Sequence, residues 1–213
     1  MFTGIIEELG TVESLEARPT GARLRVRCQR VLEDAYAGSS IAVNGVCLTA
    51  VDLRPGSFAA DLAPETLRRS NLGSLRSNAL VNLERPLSPS GRLSGHLVQG
   101  HVDGTGELLE LAPLGDGNWW LRLGVPPALA NYFVYKGSVS LDGISLTIAK
   151  LEGATVAVTI IPHTHENTNL KTRRPGDLIN IECDVIAKYV ERMLARLERP
   201  SGLTIARLEE EGY

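Results

Sequence analysis

The side chains best suited to move a proton or hold a polar ring are unevenly spread along this chain. Histidine is the usual proton carrier near neutral pH, and three of the four histidines, His101, His163 and His165, lie beyond residue 100. Hydroxyls donate and accept at the edge of a heterocycle; the candidates are Ser40, Ser138, Thr49, Thr147, Thr66 and Thr164. Thr66 and Thr164 serve equally well as helix caps. Cys47 is either a covalent nucleophile or a small buried apolar side chain. His163-Thr164-His165-Glu166 puts two histidines on one face of a strand, as a metal site would want. No further carboxylate–histidine pair completes a cage, and Pro162 with the polar run after it reads as a strand end, so no metal is expected. No GxGxxG or Walker loop is present, so no dinucleotide or nucleotide fold is expected.

What positions these residues is a duplicated scaffold. Ser39–Ala50 (SSIAVNGVCLTA) resembles Gly137–Ile148 (GSVSLDGISLTI) at an offset of 98, and from Gly38 to Glu84 that offset gives 14 identities in 47 positions without a gap. The starts align at an offset of 96, where Gly4-Ile5-Ile6-Glu7 meets Gly100-His101-Val102-Asp103. The expected units are residues 1–96, 97–184 and a tail, 185–213, with the joint near Gly95-His96. The glycine-rich run Gly91–Gly106 around it reads as a linker. If both copies hold the same flat ligand, its holders should persist, as Ser40/Ser138, Thr49/Thr147 and Thr66/Thr164 do. Residues that change mark a difference in role: Ile5 becomes His101, Glu65 becomes His163, Leu67 becomes His165 and Cys47 becomes Ser145.

Each copy reads as all-β. Arg23–Arg27, Ile41–Val43 and Leu80–Leu83 alternate or are β-branched, and Asn44-Gly45 and Asp142-Gly143 are tight-turn dipeptides. Strands this short and frequent suggest a small closed barrel. Pro64–Leu72 and its counterpart read as helical. From Val185 the apolar residues Ile186, Tyr189, Val190, Met193, Leu194 and Leu197 form one stripe of an amphipathic helix, before a break at Pro200-Ser201-Gly202. That stripe packs either on its own barrel or on copies of itself.

The bulk numbers exclude several classes. A net charge of −3 offers no footprint for nucleic acid, and no run of 18 apolar residues suggests a membrane span. The start, MFTGIIEELG, lacks a basic stretch followed by an apolar one, so no signal peptide is expected. Three widely spaced cysteines, Cys28, Cys47 and Cys183, fit reduced thiols in the cytoplasm.

MFTGIIEELG, NGVCLT, ETLRRSNLG, GHLVQGHVDG and SLDGISLT together resemble the riboflavin synthase family, and the likeness spans both copies and the C-terminal helix. The resemblance implies two tandem six-stranded Greek-key barrels and a helix, assembled as a homotrimer. It implies a transferase that dismutates two 6,7-dimethyl-8-ribityllumazine molecules to riboflavin and 5-amino-6-ribitylaminouracil without a cofactor. Lumazine synthase is a candidate second partner. Each active site would form between the N-terminal barrel of one subunit and the C-terminal barrel of its neighbour.

Carried onto this sequence, the resemblance gives the first barrel a pocket of Gly4, Ile5 and Ile6, then Cys47, Leu48 and Thr49, then Asp61, Leu62, Ala63, Pro64, Glu65 and Thr66. The second would use Gly100, His101 and Val102, then Lys136, then Ser145, Leu146 and Thr147, then Ile160, Ile161, Pro162, His163, Thr164 and His165. His101 is the expected proton mover, with Ser145, Thr147, Cys47, Thr49 and Ser40 as polar groups of the site. Stacking two reactants in one orientation can supply much of the rate. A binder holding lumazine or flavin as a chromophore is the rival reading, and a flavin-dependent reductase barrel a third. Retention of the Leu-Thr and Pro-x-Thr elements in both copies favours the enzyme.

Overall fold

The computed structural model describes residues 1–197 and residues 209, 211 and 212. The expected break at Pro200-Ser201-Gly202 lies outside the described residues. Among the described residues, twelve strands and three α-helices are formed. The first barrel comprises β1 (Glu8–Arg18), β2 (Gly21–Arg27), β3 (Ser40–Val43), β4 (Val46–Arg54), β5 (Ser57–Leu62) and β6 (Leu80–Glu84), with helix α1 (Pro64–Arg69) between β5 and β6. The second repeats it with β7 (Gly104–Pro113), β8 (Trp119–Gly124), β9 (Ser138–Leu141), β10 (Ile144–Glu152), β11 (Thr155–Ile160) and β12 (Leu178–Cys183), with helix α2 (Pro162–Glu166) between β11 and β12. Both close antiparallel in the same order, β1-β2-β5-β4-β3-β6 and its counterpart, so neither leaves an open edge. Helix α3 (Val185–Leu197) follows.

The interiors are filled. Alternation along β4 sends Val46, Leu48 and Ala50 inward, where Ile41, Val43, Leu62 and Leu83 join them. Ile144, Ile148, Val139, Leu141 and Ile160 do the same in the second barrel. Ser40, Cys47 and Thr49 therefore point outward from the β3–β4 hairpin, as do Ser138, Ser145 and Thr147 from β9–β10.

Each hairpin turns through two residues of positive φ, Asn44-Gly45 (+46°, +77°) and Asp142-Gly143 (+47°, +82°), which identifies the type I′ turn that asparagine–glycine and aspartate–glycine favour. The two turns meet tip to tip. A Cβ on either glycine would sit 2.7 Å from the other's backbone nitrogen. Around this contact the amides cross between barrels in mirrored pairs. Asn71 N–H donates to Asn180 Oδ1 at 2.6 Å, and Asn169 N–H to Asn82 Oδ1 at 2.7 Å. Asn82 Nδ2 donates to the Asp142 carbonyl at 2.9 Å, and Asn180 Nδ2 to the Asn44 carbonyl at 2.8 Å. Asp142, fully buried, also accepts from Asn71 Nδ2, Asn169 Nδ2, the Asn180 N–H and the Arg173 guanidinium.

This seam explains where the helical expectation for Pro64–Leu72 fails. Helix α1 stops at Arg69, and a 3-10 turn takes Asn71–Ser74. The Asn71 N–H is committed across the seam, and Ser70 Oγ accepts from the Leu72 N–H to start the new turn. Thr168 and Asn169 repeat the arrangement after α2. The prediction is that Asn82→Ala, which strips partners from the buried Asn169 N–H and Asp142 carbonyl, destabilises the chain by about 2–4 kcal/mol. Urea unfolding at fixed protein concentration checks it, and an unchanged midpoint would show that these amides do not stabilise the seam.

Candidate active site

The segments that lead into each barrel lie across the seam. Buried Glu84 holds the first, accepting from the Thr3 N–H (2.7 Å), Thr3 Oγ1 (2.8 Å) and the Gly4 N–H (3.0 Å). Glu182 holds the second in the same way, accepting from the backbone of Gln99, Gly100 and His101 at 2.6–3.0 Å. Burial pushes both carboxyls above the usual carboxylate range, and these hydrogen bonds pull them back.

From these anchors each segment reaches the other barrel. The Gly4 carbonyl accepts from the Ser145 N–H at 2.7 Å, and the Gly100 carbonyl from the Cys47 N–H at 2.9 Å. Ile6 packs on the second core and Val102 on the first. The approach demands glycine. Gly4 and Gly100 have φ of +78° and +83°, and a Cβ would fall 2.7 Å from Ser145 Cβ and 2.5 Å from Cys47 Cβ. This corrects the grouping expected from sequence. The resemblance groups Gly4, Ile5 and Ile6 with Cys47, and Gly100, His101 and Val102 with Ser145; the structure exchanges them, because each segment crosses the seam after leaving its own glutamate.

His101 accordingly opens into a cavity of about 540 Å³ between Cys47, Glu65 and Thr66 of the first barrel and Leu129, Tyr132 and Lys188 beyond it. Thr49 and Ser40 are cross-strand neighbours on the adjoining outer face. On the second barrel, Ser138 and Thr147 make the equivalent pair beside Ser145.

The other expected residues divide. Leu48, Leu62 and Ile160 are buried in the cores, so they turn inward and leave only backbone near the outer face. Leu146 packs on the second core. Ala63 and Ile161, rather than Thr66 and Thr164, hold the helix N-cap positions, and Pro64 and Pro162 open the helices. Thr66 and Thr164 are half-buried. Asp61 makes a two-pronged ion pair with Arg23 at 2.7 and 2.8 Å, and Glu65 pairs with Arg68 and Arg69, so both carboxyls lie below their usual range. Lys136 is exposed in a left-handed turn before β9, with Nζ 5.3 Å from the Tyr135 ring. His163 is exposed, whereas His165 stacks on Trp119 at 4.0 Å and 6°.

One residue escaped the sequence reading. His96 Nδ1 lies 2.7 Å from Ser145 Oγ, within reach of a proton leaving that hydroxyl. The duplication had no means of finding it, because at the offset of 96 it aligns ahead of Met1, and the glycines around it read as linker. Glu84 and Glu182 were also passed over. Their signal was present, an identical acidic residue at the end of a buried strand in both copies.

Comparison with known proteins agrees with this architecture. The lumazine binding domain model matches twice, at residues 3–86 and 99–184. The riboflavin synthase of Actinobacillus pleuropneumoniae is 42% identical, with all of both chains covered. That of Mycobacterium bovis is 50% identical over 91% of this chain and 98% of its own. The chain belongs to the riboflavin synthase family. The family is one of enzymes, and its lumazine-binding repeat accounts for the two barrels. LumP in complex with riboflavin shares the fold at a TM-score of 0.80 and 20% identity, covering 86% of this chain and 99% of that one. LumP in complex with 6,7-dimethyl-8-(1'-D-ribityl) lumazine does so at 0.78 and 19%.

Burial favours the neutral ring of His96 and lowers its pKa from 6.5, against an opposing pull from Asp184. The folded chain then binds fewer protons here than the unfolded one. The stability this contributes is present above pH 6.5 and is lost as pH falls through the depressed value. The expected result is a His96 ring-proton NMR titration with its midpoint below 6.5, and a midpoint at or above 6.5 would contradict the burial argument.

Proposed function

We propose that this chain converts two molecules of 6,7-dimethyl-8-ribityllumazine to riboflavin and 5-amino-6-ribitylaminouracil, one molecule held on the outer face of each barrel. The observation that carries the reading is the pair of outward polar faces, Ser40/Cys47/Thr49 and Ser138/Ser145/Thr147, each roofed by the leading segment of the other copy. A protein that merely held one chromophore would need only one of them.

The functional units are residues 1–96, 97–184 and 185–213, with each of the first two giving its opening residues to the other's face. Hydroxyls and backbone at each face orient the ring and stabilise anionic charge as the C7-methyl proton leaves one lumazine. That carbanion is delocalised over the ring, so no extreme base is required. Neutral His96, against Ser145 Oγ, suits removal of a proton from the nucleophile that adds to C7 of the other lumazine. His101, at the mouth of the Cys47 cavity, is the proton mover on the first barrel.

Each outer face is open in a single chain; Thr49 and Thr147 are exposed. The apolar stripe of α3 is also uncovered, with Ile186, Tyr189 and Met193 each more than half exposed. Both suit a homotrimer in which the first barrel of one subunit meets the second barrel of the next, closing two ligands face to face. Lumazine synthase, as a source of the substrate, is a candidate partner. A cytoplasmic setting fits three unpaired cysteines, two of them buried and pushed up to about 12 by desolvation.

Incubating the full chain with ribityllumazine alone should produce riboflavin absorbance, undiminished by a chelator; activity lost in chelator and restored by a divalent ion would sink the cofactor-free reading. His101→Gln, which keeps hydrogen bonding but cannot titrate, should lower kcat by roughly 10²–10⁴-fold if His101 acts as acid or base. Near-full kcat in that variant would make it a positioning residue. Truncation before Val185 should reduce the mass measured by light scattering, and an unchanged trimer would count against the helix as its clamp.

A further inference from the structure

The residue that follows each leading segment is a carboxylate with the same first task in both copies. Glu7 Oε1 accepts from the Arg85 N–H at 2.7 Å, and Asp103 Oδ2 from the Cys183 N–H at 2.8 Å. Glu7 and Asp103 are equivalent at the offset of 96, and Arg85 and Cys183 at the offset of 98. The second oxygen is treated differently. Glu7 Oε2 takes the guanidinium of Arg85 itself at 2.7 Å, a cation supplied within the same copy. The second copy has cysteine in the place of that arginine. Asp103 Oδ1 instead takes Lys188 Nζ at 2.6 Å, and Lys188 belongs to α3. Both partners are largely shielded, with 26% and 22% of their side chains exposed.

A second tie lies one turn along the helix, where Tyr132 Oη donates to Glu191 Oε2 at 2.5 Å. Asp103, Tyr132 and Lys188 all line the cavity that holds His101 and Cys47. Asp103 is two residues from His101, and its own N–H is pinned to the Ile181 carbonyl at 2.8 Å. The backbone from Gln99 to Asp103 is thus fixed on one side by Glu182 and on the other by the helix.

We propose that Lys188 is a positioning residue for the reaction: through Asp103 it holds the His101 segment against the first barrel, so that α3 is part of the site's framework as well as of the assembly. The proposal rests on the reading of His101 as a group that meets the ligand. It requires the carboxylate to have a cation, which the first copy supplies locally and the second recruits from the helix. Loss of that cation leaves a partly buried carboxylate that gains by turning toward water, and the turn drags the His101 backbone with it.

The test uses the full chain with Lys188→Met and Lys188→Arg. Lys188→Met should leave the light-scattering mass and the KM for ribityllumazine nearly unchanged while kcat falls by about ten- to a hundredfold, the usual effect of a small displacement of a reacting group. Lys188→Arg, which restores the cation, should recover most of the lost kcat. Amide hydrogen exchange over residues 99–103 should quicken by roughly tenfold in Lys188→Met and return in Lys188→Arg. That readout needs no turnover, so it decides the Lys188 link even if the parent chain makes no riboflavin, an outcome that would overturn the functional reading alone. Unchanged exchange in Lys188→Met would overturn the link. So would a loss of activity that tracks loss of mass, because the helix would then act only through assembly.

Discussion

The tip-to-tip contact of the two type I′ turns is the constraint on which the rest of the molecule depends. Asn44, Asn71, Asn82, Asp142, Asn169 and Asn180 are at most 2% exposed, and their amides and carboxylate find partners in the other barrel. A barrel on its own would leave these groups unpaired or would open them to water, and each buried donor or acceptor left unmade costs about 1–3 kcal/mol. Apolar packing at the same place would tolerate sliding; directional bonds between mirrored asparagines allow one register. That register sets the β3–β4 hairpin of one copy and the β9–β10 hairpin of the other turn against turn. The cavity at the first polar face is accordingly lined from both copies, by Cys47 and Thr66 of the first and by His101, Leu129 and Tyr132 of the second. The leading segments cross the seam because the glutamates that anchor them, Glu84 and Glu182, lie on one barrel while the hairpin N–H groups they must reach lie on the other.

Much of this was legible in the sequence because duplication is a strong signal. The offset of 98 picked out the hairpins, the turn dipeptides and the hydroxyl pairs, and the resulting all-β, two-barrel architecture is the one observed. What the sequence could not show was which barrel each segment serves. Sequence alignment pairs Gly4 with Gly100 but is silent on the hand of a crossing between copies, so proximity along the chain suggested the wrong partner for each. Spacing alone likewise ran α1 through to Leu72, since nothing local reveals that the Asn71 N–H is committed to a residue 109 positions away. His96 was hidden for a different reason. A residue in the joint has no copy, and comparison of copies can only weigh residues that have one.

The exchange changes what the divergence between copies means. Replacement of Ile5 by His101 does not alter the second barrel's face; it alters the first, because that is where His101 projects. The second face acquires its histidine from the joint, as His96 beside Ser145. Both faces thus carry an imidazole near a hydroxyl or thiol, but at different places, one half-buried where desolvation favours the neutral ring, the other exposed. A symmetric scaffold with unlike proton carriers suits a reaction between two identical molecules that must behave differently, one giving up carbon and the other accepting it. With like faces, either molecule would be as ready to donate as to accept, and binding energy would not separate the roles.

The same asymmetry bears on why the faces are left open in one chain. The seam joins the two hairpins turn to turn through buried amide pairs, so the ligand sites proposed on one chain's two barrels are held in one fixed relation. In the proposed homotrimer two bound rings stack because the second comes from another copy. In that proposal the helix that follows the second barrel brings the other copy in: it is tied down at Asp103 and Tyr132, Ile186, Val190 and Leu194 share a cavity with Val134 and Ser138 of the second barrel, and Tyr189 and Met193 are more than half exposed. In the proposed trimer, the constraint that fixes the barrels within a chain thus leaves the closing of the site to the assembly.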